Sequence, residues 1–125
     1  MKGRTIEFAS PTALPYNPPV LTFVESPSFS RTVYDYLTDD DYAAFQQYLA
    51  ADPEAGDLVR GSGGVRKVRW ARKGGGKSGG VRMLYFARTR QGEIWLLLIY
   101  AKSARDTIAG HILRTLKEEM EDATE

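Results

Sequence analysis

The sequence predicts an α+β domain, with two N-terminal helices against a small antiparallel sheet and a C-terminal helix to close it. Three observations carry that expectation. Apolar residues recur at helical spacing between Pro27 and Ala51 and again beyond Thr107. Three segments between Val65 and Ala101 have strand character and are joined by turns. A chain of 125 residues that is 42% hydrophobic is enough for one core of this size.

Residues 1–19 carry Pro11, Pro15, Pro18 and Pro19 with little periodicity, and proline at that density removes donors and fixes φ against helix and sheet alike. They are expected to be a flexible leader ahead of a domain spanning residues 20–125. Val20 to Glu25 (VLTFVE) is β-branched and aromatic and stops at Ser26-Pro27, which reads as a first strand. From Pro27 to Leu37, Phe29, Val33, Tyr34 and Leu37 recur as on a short amphipathic helix with proline in its first turn. Thr38 caps a second helix, with Asp39, Asp40 and Asp41 where the helix dipole favours anions. Its stripe is Tyr42, Phe45 and Leu49, and Asp52-Pro53 ends it.

After a glycine-rich turn, Val65 to Ala71 alternates, putting Lys67 and Arg69 on one face and Arg66, Val68 and Trp70 on the other. Lys73 to Gly80 is a long turn, Val81 to Thr89 a strand with Arg82, Leu84 and Phe86 on one face, and Arg90-Gln91-Gly92 a hairpin turn. Glu93 to Ala101 (EIWLLLIYA) is apolar throughout, as a strand covered on both faces should be. Thr107 to Met120 reads as a terminal helix with Ile108, Ile112, Leu113, Leu116 and Met120 on its apolar side.

A net charge of +1 conceals a strong separation. No acidic residue lies between Asp57 and Glu93, while ten of the seventeen lysines and arginines do. Acidic segments flank that stretch on both sides. The pattern is that of a polyanion binder. With no cysteine, disulfides and thiolate metal sites are excluded. The longest apolar run, Ile94 to Ala101, is too short for a bilayer, and the N-terminus lacks a signal-peptide layout, so a cytoplasmic location and no membrane partner are expected.

Ala71 to Ser78 (ARKGGGKS) meets the loosest phosphate-loop pattern, but such a loop must open a helix, and the residues that follow read as strand. No nucleotide cofactor is expected. His111 is the single histidine, which removes paired-histidine ribonuclease chemistry, and the basic stretch holds no carboxylate for a catalytic metal. Lys67, Arg69, Lys77, Arg82 and Lys102 are the candidate catalytic residues, because cations gathered in one hollow bind a phosphodiester and stabilise the added charge of its transition state. The bland alternative is a surface that only tracks phosphates. Arg66, Arg72 and Lys73 join them as RNA contacts, with Tyr85 and Tyr100 open to stacking on bases or to moving protons, while Trp70 and Trp95 are read as packing. Without metal or paired histidines, RNA cleavage would proceed through attack by its own 2′-hydroxyl, which DNA lacks.

Taken in order, Gly61 to Arg69 (GSGGVRKVR), Gly76 to Arg82 (GKSGGVR), Tyr85-Phe86 and Ile99 to Lys102 (IYAK) resemble the HigB branch of the RelE/ParE toxin superfamily. With the DDDYAAFQQYLAADPEAGDLV segment, the likeness runs from about Val20 to the C-terminus. It implies a RelE-like microbial RNase fold and a type II toxin that cleaves mRNA in the ribosomal A site without a metal. It also implies a HigA-like helix-turn-helix antitoxin as partner. By position, the family's paired basic residues fall on Lys67 and Arg69, its strand arginine on Arg82, its loop lysine on Lys77 and its last basic residue on Lys102. Ser103 stands where RelE has an arginine, and the family's C-terminal tyrosine has no counterpart among Thr107, Ile108 and Ala109. Two rivals share the scaffold: a ParE-like gyrase poison, which needs no basic cluster, and an inactive nucleic-acid-binding module.

Overall fold

The computed structural model describes residues 5–9, 20–71, 80–102 and 108–124. Within them the chain is α+β. Strand β1 (Thr5–Ala9) and β2 (Val20–Glu25) precede helices α1 (Pro27–Tyr36) and α2 (Asp39–Ala51). Then come β3 (Asp57–Leu58), β4 (Arg66–Trp70), β5 (Val81–Arg88), a 3₁₀ turn (Thr89–Gln91), β6 (Glu93–Ala101) and α3 (Gly110–Thr124). The strands form one sheet in the order β1-β2-β6-β5-β4-β3.

The local signals for α1 and α2 act as expected. Ser26 caps α1, its hydroxyl accepting from Phe29 N at 3.0 Å, and Thr38 caps α2, accepting from Asp41 N at 3.1 Å. Each such cap stabilises a helix by about 1 kcal/mol. Ser26 also ties α1 to the sheet, because its hydroxyl donates to Leu97 O at 2.7 Å and its backbone N–H to Leu96 O at 2.9 Å. That tie fixes β2 alongside β6, among the described residues the one parallel pair in an otherwise antiparallel sheet. Parallel neighbours need a long crossover, and here both helices and three strands supply it.

Two layers of core flank the sheet. On one side α1 and α2 bury Phe29, Val33, Phe45 and Leu49 against Phe23, Met83, Tyr85, Ile94, Leu96 and Ile99. On the other, Ile108 and α3 residues Leu113 and Met120 pack with Leu84, Trp95, Leu97 and Tyr100. Strand β6 contributes to both layers, which is why its sequence is apolar from Ile94 to Ala101. A buried carboxylate sits where β2 meets the helices: Glu25 is fully buried and accepts from the hydroxyls of Tyr42 and, at 2.7 Å, Ser30.

Four expectations need correction. Thr5–Ala9, expected within a leader without regular structure, is an edge strand paired along its length with β2, and the rest of residues 1–19 lies outside the described residues. Two-residue β3 is too short to show a period, so it reads in sequence as part of a turn. The terminal helix begins at Gly110 instead of Thr107 and runs on to Thr124, which leaves Ile112 exposed while Ile108 is buried ahead of the helix. Tyr34, expected on the apolar stripe of α1, is exposed. Gly110 is dictated by contact: a Cβ there would sit 2.0 Å from Arg60 O, so only glycine lets α3 start against that loop.

Candidate functional site

Pairing in the sheet decides which cations meet. Arg69 of β4 lies directly opposite Arg82 of β5, and Arg82 lies directly opposite Tyr100 of β6. Opposed side chains on one face stand roughly 5 Å apart at Cβ, so the three form a continuous row. Lys67, two residues back along β4 and opposite Leu84, shares the face, and exposed Lys102 follows the end of β6 with its N–H on Gly80 O at 3.4 Å.

Tyr100 joins this row because of a bulge. Leu84 is opposite Leu98 but Tyr85 is opposite Leu96, so β6 carries one extra residue at Leu97. Strict alternation would group Tyr100 with Ile94 and Leu96. The bulge instead moves Ile99 into their layer and turns Tyr100 to the side of Trp95 and Leu97.

Arg82 is only 7% exposed, and its Nη1 reaches within 3.3 Å of where a Cβ on Gly80 would be. Among the described residues, no carboxylate pairs with Arg82, Arg69, Lys67 or Lys102. A buried guanidinium without a counter-ion is costly, and a phosphate could supply the missing charge through bidentate hydrogen bonds.

Two expected RNA contacts are placed elsewhere. Arg66 and Tyr85 lie opposite one another on the far face of the sheet, under α2. Arg66 Nη1 donates to Gly56 O at 2.8 Å and Glu54 O at 3.2 Å. The Tyr85 hydroxyl donates to Pro53 O and accepts from Gly56 N, both at 2.9 Å, and the ring is fully buried. Burial pushes this hydroxyl above the ordinary tyrosine value of 10.0, outweighing the downward pull of the Gly56 N–H and the Arg66 charge. Both residues therefore clamp the strap between α2 and β3, and neither presents itself to a base. Arg72, Lys73 and Lys77 lie outside the described residues. Trp70 and Trp95 pack as expected, Trp70 with ring centroids 5.3 Å from both Phe45 and Tyr48.

The strap creates a feature that the sequence does not reveal. Drawn toward Tyr85 and Arg66, the strap and β3 leave beside β4 a cleft of about 480 Å³ lined by residues 55–59 and 67–69. Gly56 marks the closest approach, since a Cβ there would sit 2.9 Å from both Lys67 O and the Tyr85 ring. Asp57, directly opposite Lys67, brings an exposed carboxylate to the rim of the basic face. It stands at the boundary of the acid-free stretch, where only strand pairing reveals its neighbour.

The other half of this face is closed by α3. Lys117 Nζ donates to Gly63 O at 3.0 Å and lies 4.5 Å from the centre of the Phe86 ring. Among the described residues no group of three or more His, Cys, Asp or Glu side chains is placed to hold a metal, and no helix is long and apolar enough to cross a membrane. A family model described as the RelE toxin of the RelE/RelB toxin-antitoxin system matches residues 32–124, about three quarters of the chain. The match takes in α2, β3 to β6 and α3, and with them every part of the basic face.

Proposed function

The chain belongs to the RelE toxin family, and on that premise we propose that it is a ribosome-dependent mRNA endonuclease of the HigB type, acting in the cytoplasm. Its partners are the ribosomal A site, the mRNA there and a HigA-like helix-turn-helix antitoxin that holds it inactive. The observation that carries the reading is Arg82, buried between Arg69 and Tyr100 with no carboxylate beside it among the described residues.

The chemistry follows from that row. The 2′-oxygen attacks the adjacent phosphorus as its proton leaves to a base, the P–O5′ bond breaks, and the 5′-oxygen takes up a proton. The products are a 2′,3′-cyclic phosphate and a 5′-hydroxyl. Arg82 stabilises the extra negative charge on the phosphoryl oxygens, a contribution that typically reaches about 10²–10³ in rate for one such donor. Arg69 holds the phosphate, Lys67 and Lys77 hold it or, as the neutral amine, accept the proton, and Lys102 adds positive charge at the end of the row. No step needs a metal. A gyrase poison on this scaffold would have no use for the row.

The test is cleavage of mRNA on programmed ribosomes, mapped by primer extension. Cuts should appear within the A-site codon and be far weaker without ribosomes. Efficient ribosome-free cutting, or none with ribosomes present, overturns the reading.

A further inference from the structure

The cleft beside the basic row holds one acidic side chain among its cations, and its position has a chemical meaning. Asp57 lies directly across from Lys67, so both side chains leave the same face, and Arg69 is the diagonal neighbour at roughly 7–8 Å between Cα atoms. Asp57 forms no ion pair with Lys67 or any other described cation. Its carboxylate is free to accept hydrogen bonds, and acceptance is all it can do when ionised. A volume of about 480 Å³ is within the usual range of small-molecule sites. The Gly56 backbone and Val68 supply a surface without charge.

We propose that this cleft is a guanine-binding subsite, in which Asp57 selects the base next to the phosphate held by Arg69 and Arg82. Guanine presents two adjacent donors, N1–H and the N2 amino group, which match the two oxygens of one carboxylate. Its neighbouring O6 is an acceptor, and Lys67, which also lines the cleft, carries an ammonium that can donate to it. Uracil offers one N–H between two carbonyl oxygens, which the carboxylate repels. Adenine and cytosine offer one amino donor beside a ring nitrogen that accepts, so they satisfy only one oxygen. Arg66 and Tyr85 are the positioning residues of this subsite, since their bonds to Pro53, Glu54 and Gly56 hold the strap that carries Asp57.

The inference rests on the RNA-cleaving reading, so its test has one arm that needs no cleavage. Guanosine 3′-monophosphate and uridine 3′-monophosphate are titrated into the full chain. The guanosine nucleotide should bind about tenfold tighter or more, the size expected of a good bidentate base contact. Asp57→Ala should bring that ratio close to one, with the fold checked by thermal unfolding. Equal binding by the unaltered protein, or a ratio unchanged in Asp57→Ala, overturns the proposal. Binding of neither nucleotide overturns it too. In the second arm, ribosomal cut sites are mapped for both proteins. A guanine preference that Asp57→Ala erases supports the subsite, whereas a preference that persists sinks it. Loss of cleavage in the unaltered protein refutes the RNase reading while the nucleotide arm still decides the subsite.

Discussion

Arg82 and Arg88 share one face of β5, yet their surroundings are opposite. Arg88 has its counter-charge: Nη1 lies 3.3 Å from Glu93 Oε1, the guanidinium sits 4.5 Å from the centre of the Trp95 ring, and Trp95 Nε1 donates to the same Glu93 oxygen at 3.1 Å. Arg82 is the more buried of the two, and it faces Arg69 and Tyr100 instead of a carboxylate. Helix α3 covers the strand's far half, where Phe86 takes the Lys117 ammonium, and the charges there are settled within the protein. The difference supports the proposed placement of the chemistry at Arg82. An arginine with an internal partner stabilises the fold; one held in place with no carboxylate beside it among the described residues could take an anion from outside.

The comparison breaks most directly at Arg82. Arg82→Ala should lower ribosomal cleavage by about 10²–10³-fold, read by primer extension, with growth arrest lost in cells. Undiminished toxicity would show that the unpaired arginine is no more functional than the paired one.

Tyr85, on the same strand between the two arginines, separates stability from chemistry. Tyr85→Phe leaves the buried Gly56 N–H without its acceptor and should cost about 1–3 kcal/mol in urea unfolding. A pH signature accompanies it. Because the folded-state pKa is raised above 10.0, the folded protein keeps this proton longer than the unfolded chain does. The contribution is whole below the unfolded value and is lost as pH rises through the folded one, so stability should fall more steeply at alkaline pH in the parent than in Tyr85→Phe.

Salt dependence sharpens the contrast further. Arg69→Ala removes a cation assigned to phosphate and should reduce the log–log salt slope of RNA binding by roughly 0.7, the value expected per contact on a single strand. Arg88→Ala should leave that slope unchanged. The smallest effect belongs to Glu93→Gln, which leaves Arg88 without its carboxylate. Because both groups are partly exposed, the loss should stay below about 1 kcal/mol by thermal unfolding, with cleavage intact.

Much of the architecture is legible in short stretches of sequence. Ser26-Pro27 and Thr38-Asp39-Asp40-Asp41 announce helix starts through local hydrogen bonding and the dipole, and α1 and α2 begin there. The alternation of RKVRW places Lys67 and Arg69 on one face and Arg66 on the other, as β4 has them. Other elements are hidden. In β1, TIEFA does alternate, but the prolines that follow dominate the composition of that segment. Two-residue β3 has no period to read, and with it the placement of Asp57 escapes notice. Tyr85 looks in sequence like a residue for stacking because nothing nearby in the chain reveals that Pro53 and Gly56 take both of its hydrogen bonds.

By itself the sequence determined the three helices, strands β2, β4, β5 and β6 and the gathering of cations into one acid-free stretch, because caps, periodicity and composition act over a few residues. Only the tertiary structure decided which cations stand together and which are occupied. One extra residue in β6 reverses the alternation beyond it and delivers Tyr100 to the side of Arg82 and Arg69, while the strap held by Arg66 and Tyr85 brings Asp57 beside Lys67. Register and bulges are set by pairing between distant strands, and no local run of residues contains that information.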